Sequence, residues 1–168
     1  VTAGLKSAGK DLALVRNTGP DQHAAAVFTT NKVAAAPVLW SRQAISDGRA
    51  DAVVLNSGGA NACTGAPGFA DTHTTAEHLA QALEVSAQDV LVCSTRLIGE
   101  RLNMPLLLPG VTAAAEALGQ GPADGTAAAE AILTTDSVTK TAHAGGTGFT
   151  IGGMAKGSGM IHPNMCTM

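Results

Sequence analysis

Short apolar runs bounded by turn residues alternate along this chain with segments whose apolar residues recur at helical spacing. Residues 11–15 and 24–29 read as strands joined through Asn17-Thr18-Gly19-Pro20, a good turn sequence. Pro37, Val38, Leu39 and Trp40 predict a third strand, and residues 41–47 a helical turn ending at Gly48. Residues 52–55 form a compact β-branched strand that runs into a glycine-rich stretch, 56–68. A helix follows, capped by Asp71 or Thr72, with Ala76, Leu79, Ala80 and Leu83 as its apolar stripe. Residues 89–93 predict another buried strand, closed by Ser94-Thr95. Helices over 111–118 and 125–133 and a last strand over 149–154 complete the pattern. Such alternation predicts a single α/β (α+β) domain over residues 1–168, with layered sheets covered by helices.

Composition changes that picture in one respect. Hydrophobic residues make up 45% of the chain, enough for a sizeable core, yet aromatic residues are only 2% and there are 32 Ala and 20 Gly. With so few large anchors, the chain favours burial against a partner chain. Charge narrows the partners: ten basic and thirteen acidic residues give a net charge of −3, and no Lys/Arg cluster suits nucleic acid. No apolar run reaches the roughly 18 residues of a membrane span, and the first residues lack the basic-then-apolar pattern of a leader. Three cysteines without CxxC spacing suggest neither a disulfide framework nor a zinc site, so a reducing, cytoplasmic setting is expected, with no metal. Cys63 and Cys93 read as small buried filler, and the five histidines as solvated or locally bonded.

Three places have chemical potential on their own. The loop from Asn56 to Gly68 lets backbone N–H groups approach an anion, or is simply a tight crossing of two backbones. Ser94-Thr95, at a strand's end, offers a hydroxyl and N–H groups to an oxyanion, or caps the next segment. Thr134-Thr135-Asp136 ends a helical pattern and reads as a turn.

The final segment, Lys156-Gly157-Ser158-Gly159-Met160-Ile161-His162-Pro163-Asn164-Met165-Cys166-Thr167-Met168, decides between these readings. It closely resembles the self-cleavage segment of the ornithine acetyltransferase (glutamate N-acetyltransferase) family, roughly KGxGMxxPxMAT[ML]. Eight defining positions match, and Cys166 stands where alanine is usual. The resemblance continues in Val53 through Gly65, in Val92-Cys93-Ser94-Thr95, in Ile98-Gly99-Glu100-Arg101 and in Ile132-Leu133-Thr134-Thr135-Asp136. These blocks stand in the family's order and cover nearly the whole chain.

That resemblance implies an N-terminal-nucleophile-like fold and a precursor that cuts itself between Cys166 and Thr167. The chain would be the α chain of an α2β2 assembly, completed by a β chain from the same precursor. Thr167 would become the β chain's first residue and the nucleophile of an acyl-enzyme. The acetyl group of N-acetylornithine would pass through it to glutamate, without a cofactor, in arginine biosynthesis. The family's oxyanion hole maps to Thr95 and Arg96, the latter replacing the usual glycine, and its substrate-binding residues map to Thr134 and Lys156. A self-cleaved amidohydrolase or aminopeptidase on a similar scaffold is the alternative, as is a paralogue whose acyl acceptor has changed.

Overall fold

A computed structural model describes residues 1–159. Its elements are β1 (Leu12–Arg16), α1 (Ala36–Ala44), β2 (Ala52–Asn56), α2 (Gly65–Leu83), β3 (Val90–Ser94), α3 (Met104–Glu116), α4 (Pro122–Ala131), β4 (Lys140–Gly146) and β5 (Phe149–Ala155). The α+β class is as the sequence predicts. β1 pairs antiparallel with β2, and β2 parallel with β3, to give a three-stranded sheet in the order β1-β2-β3. The parallel pair needs a crossover, which α2 provides. β4 and β5 form a separate antiparallel hairpin.

The stripe anticipated on α2 does bury: Ala76, Leu79, Ala80 and Leu83 pack with Leu12, Val54 and Val90 of the sheet and with Leu107 and Val111 of α3. Four expectations fail. Residues 37–40 are helical, because a proline in the first helical turn gives up only an N–H that has no intrahelical partner. From α1, the Trp40 indole N–H donates to the Val90 carbonyl (2.9 Å), while Ser41 Oγ donates to the Val92 carbonyl (2.8 Å) and accepts from its N–H (2.9 Å). The helix thereby covers the outer edge of β3. Residues 24–29 form no ladder; beside them only an isolated bridge joins His23 and Arg49.

α2 begins at Gly65, so Asp71 and Thr72 are buried within it rather than capping it. Asp71 receives a two-pronged hydrogen bond from Arg101 (2.6 and 2.8 Å), and Thr72 Oγ1 accepts from Asn61 Nδ2 (2.9 Å). Cys63 is exposed and sits at a left-handed φ of 58°, so it is not core filler. Cys93 is half-buried, and burial pushes its thiol up to about 11. No helix among the described residues is long and apolar enough to cross a membrane.

Candidate active site

The carboxyl ends of β2 and β3 lie side by side, because their parallel register sets Asn56 against Ser94. Ligands of such sheets collect beyond the carboxyl ends of parallel strands. Asn56 Nδ2 donates to Ser94 Oγ (2.6 Å), and the Asn56 carbonyl accepts the Thr95 N–H (3.0 Å). One residue on, Ser57 Oγ donates to the Ala131 carbonyl (2.6 Å), tying the end of α4 to the same edge. Lys6 Nζ donates to the Leu133 carbonyl (3.0 Å), fixing the segment that leads to Thr134. The β4–β5 hairpin then returns the chain, and Lys156 arrives opposite Thr95.

Together these segments enclose a cavity of about 340 Å³, with Thr95, Thr134, Thr135 and Lys156 on its polar side and Leu55, Ile132 and Met154 on its apolar side. Lys156 Nζ donates to Thr95 Oγ1 at 2.8 Å. Burial pulls the Lys156 ammonium below its ordinary value, Asp136 opposing and Lys140 adding to the shift. Thr135 Oγ1 lies 3.1 Å from Ser158 Oγ, whereas the Thr134 hydroxyl has no hydrogen bond to any described residue.

Asp136 organises the far wall. Its Oδ1 accepts from Lys140 Nζ and from the Gly157 N–H (2.7 Å). The Lys140 ammonium first, then the Gly157 N–H, hold its carboxyl down at about 2 against partial desolvation. Its Oδ2 is shielded from solvent and has no partner among the described residues.

Of the residues singled out in the sequence, Thr95, Thr134 and Lys156 share this cavity. Arg96 adjoins it, exposed, at a φ of 127°. Neither its backbone N–H nor its guanidinium bonds to any described residue. Cys166 and Thr167 lie outside the described residues. The glycine-rich loop turns its polar groups inward: Asn61 is fully buried, its Nδ2 donating to the Gly68 carbonyl (2.8 Å) and its Oδ1 accepting from Thr64 Oγ1 (2.7 Å). A Cβ at Gly68 would collide with the side chains of Thr64 and Asn61, so glycine permits that close packing within the loop. This favours the tight-loop reading over an anion cradle. Among the described residues, no group of three or more His, Cys, Asp or Glu side chains is placed to hold a metal ion.

Sequence reasoning missed the roles of Asn56, Lys6 and Asp136. Asn56 and Ser94 each end a buried β-branched run in a hydrogen-bonding residue, which is a readable sign of a polar strand-end network. Lys6 gave no such sign, since its partner is a distant backbone carbonyl, and for Asp136 only the nearby Lys140 could have been read along the chain, its other partner being the Gly157 N–H twenty-one residues on.

The described residues thus define an α+β chain whose polar cavity, at the carboxyl ends of two parallel strands, presents a lysine-bonded threonine hydroxyl. The ArgJ family model matches residues 1–168, and the chain belongs to the ArgJ family. It is 62% identical over 170 residues to the arginine biosynthesis bifunctional protein ArgJ of Thermobifida fusca and 58% identical over 169 residues to that of Streptomyces coelicolor. In both cases the match takes in 100% of this chain but 44% of the relative, so the chain spans under half the length of these curated relatives. The structure resembles that of ornithine acetyltransferase from Mycobacterium tuberculosis complexed with ornithine, with a TM-score of 0.94 and 54% identity, covering 98% of this chain and 89% of that one. ArgJ from Bacillus halodurans is similar at a TM-score of 0.84 and 40% identity, covering 98% of this chain and 87% of that one.

Proposed function

We propose that this chain is the α chain of an acetyltransferase that moves an acetyl group from N-acetylornithine to glutamate. Residues 1–168 form one domain, completed by a β chain from the same precursor in a cytoplasmic α2β2 assembly. Cleavage between Cys166 and Thr167 frees an α-amine, which titrates at about 8 and takes the proton of the Thr167 hydroxyl as that oxygen attacks the acetyl carbonyl. The Thr95 hydroxyl and the Arg96 N–H stabilise the oxyanion formed in each half-reaction. Thr134 and Lys156 bind the amino-acid portion of the substrate, Lys156 as a point charge for its carboxylate.

The observation that carries this reading is the meeting of Thr95, Thr134 and Lys156 around one cavity, although they come from three separate segments of the chain. An Arg96 N–H that bonds to none of the described residues, beside Thr95, supports it, since an oxyanion donor must be free before substrate arrives. Lys6 adds to the polar surroundings of the site: burial lowers its ammonium below the ordinary value, with Asp11 opposing and the nearby charge of Arg96 adding to the shift.

The test uses the whole gene product. Intact masses should reveal a second chain beginning at Thr167, and the processed protein should release ornithine from N-acetylornithine while forming N-acetylglutamate. A second chain starting elsewhere removes Thr167 as the nucleophile. Arg96 is the observation behind a second reading, because a long cation replaces glycine beside the acyl site. Acetate accumulating in place of N-acetylglutamate would identify a hydrolase, and transfer to another amine a paralogue with a changed acceptor.

A further inference from the structure

We infer that Lys156 is a positioning residue for the Thr95 hydroxyl, setting it as an oxyanion donor independently of any contact Lys156 makes with a substrate carboxylate. This rests on the acetyl-transfer reading above. An ammonium has no lone pair, so in the 2.8 Å bond Thr95 Oγ1 can only accept. The hydroxyl hydrogen is then left for an acceptor on the cavity side. A cation bonded to the oxygen also polarises the O–H, which strengthens the bond it donates to developing negative charge.

Both partners are held in place by other groups. The Thr95 N–H is bonded to the Asn56 carbonyl (3.0 Å), and the residue is buried. Lys156 is followed at once by Gly157, whose N–H is bonded to Asp136 Oδ1 (2.7 Å), and Ser158 meets Thr135 (3.1 Å). The lysine has three N–H bonds and spends one on Thr95, so the other two remain for a carboxylate. The two roles separate on a substrate that has no carboxylate.

The experiment is turnover of p-nitrophenyl acetate and of N-acetylornithine by the self-processed full-length protein, with rates expressed per processed molecule by intact mass. Lys156→Met is expected to lower kcat on the aryl ester about tenfold with KM within about twofold, a part of the loss caused by removing an oxyanion donor. Lys156→Arg, which keeps a donor, is expected to retain most of that kcat. In a Thr95→Val background, Lys156→Met should cost nothing more, since its effect runs through the missing hydroxyl. Aryl-ester turnover unchanged in Lys156→Met, with a raised KM for N-acetylornithine alone, overturns the inference. So do losses that multiply in the double variant. A processed wild type inert towards both substrates instead overturns the acetyl-transfer reading itself.

Discussion

Arg96 carries backbone strain beside the buried Thr95. Its φ of 127° lies in the region that side chains with a Cβ rarely adopt. Such a residue costs about 1–3 kcal/mol, against about 0.5–1 kcal/mol of extra chain entropy that a glycine would lose on folding. Strain outweighs that entropy, so Arg96→Gly is expected to stabilise the protein by about 1 kcal/mol, read as a raised denaturant midpoint. A lowered midpoint would mean that the arginine side chain contributes packing or charge that outweighs the strain. Asp136 is the other residue whose setting has a measurable consequence. Its carboxyl falls from an ordinary 3.8 to about 2 in the fold. A depressed carboxyl stabilises above its unfolded value and ceases to do so as pH falls through its folded value. The stability difference between wild type and Asp136→Asn should therefore be constant above about pH 4 and close as pH falls towards about 2. Urea titrations across that range check it, and a difference unchanged at the acid end would assign the effect to shape rather than charge.

At the scale of elements, the strands of the main sheet were legible because each is a short apolar run ending in turn or polar residues. Helix α1 was not, since Val38, Leu39 and Trp40 have strand-like composition and Pro37 disguises a helical first turn. What decides its state is tertiary: Trp40 and Ser41 satisfy the outer edge of β3, a contact about fifty residues away along the chain. Strand β4 was invisible for the opposite reason, since Lys-Thr-Ala-His-Ala-Gly-Gly is wholly exposed and shows no apolar alternation. The site divides in the same way. Thr95 at a strand's end was a candidate from its own context, but its 61-residue separation from Lys156 put their contact beyond any local pattern, and only the family resemblance joined them. The edge cover makes its own prediction. Ser41→Ala removes partners from both the N–H and the carbonyl of buried Val92, so it is expected to cost about 2 kcal/mol. Chemical denaturation measures this, and a loss under about 0.5 kcal/mol would mean the edge finds other partners.

For the whole molecule, the β4–β5 hairpin is the feature least explained by the described residues alone. A two-stranded hairpin is marginal in water without a surface to pack on. Here Phe149 and Ile151 are 59% and 62% exposed, and among β4 and β5 only Met154 is partly buried. Its end nevertheless delivers Lys156 to Thr95, so the geometry of the proposed site depends on a hairpin that this chain supports weakly. The proposed β chain, if packed on the hairpin, would resolve that tension, and the chain spans 44% of its relatives' length. Two outcomes are expected. Backbone amides of Lys140–Gly146 should exchange with solvent quickly in the chain expressed alone and be protected in the full-length assembly, as hydrogen exchange would register. Ile151→Asp should leave the melting of the isolated chain nearly unchanged, because the side chain is already exposed there. In the assembly the same substitution should weaken association by about 2 kcal/mol, the cost of losing one buried large side chain. Equal protection in the isolated chain would show that the hairpin stands by itself and would remove it as the docking surface of the proposed β chain.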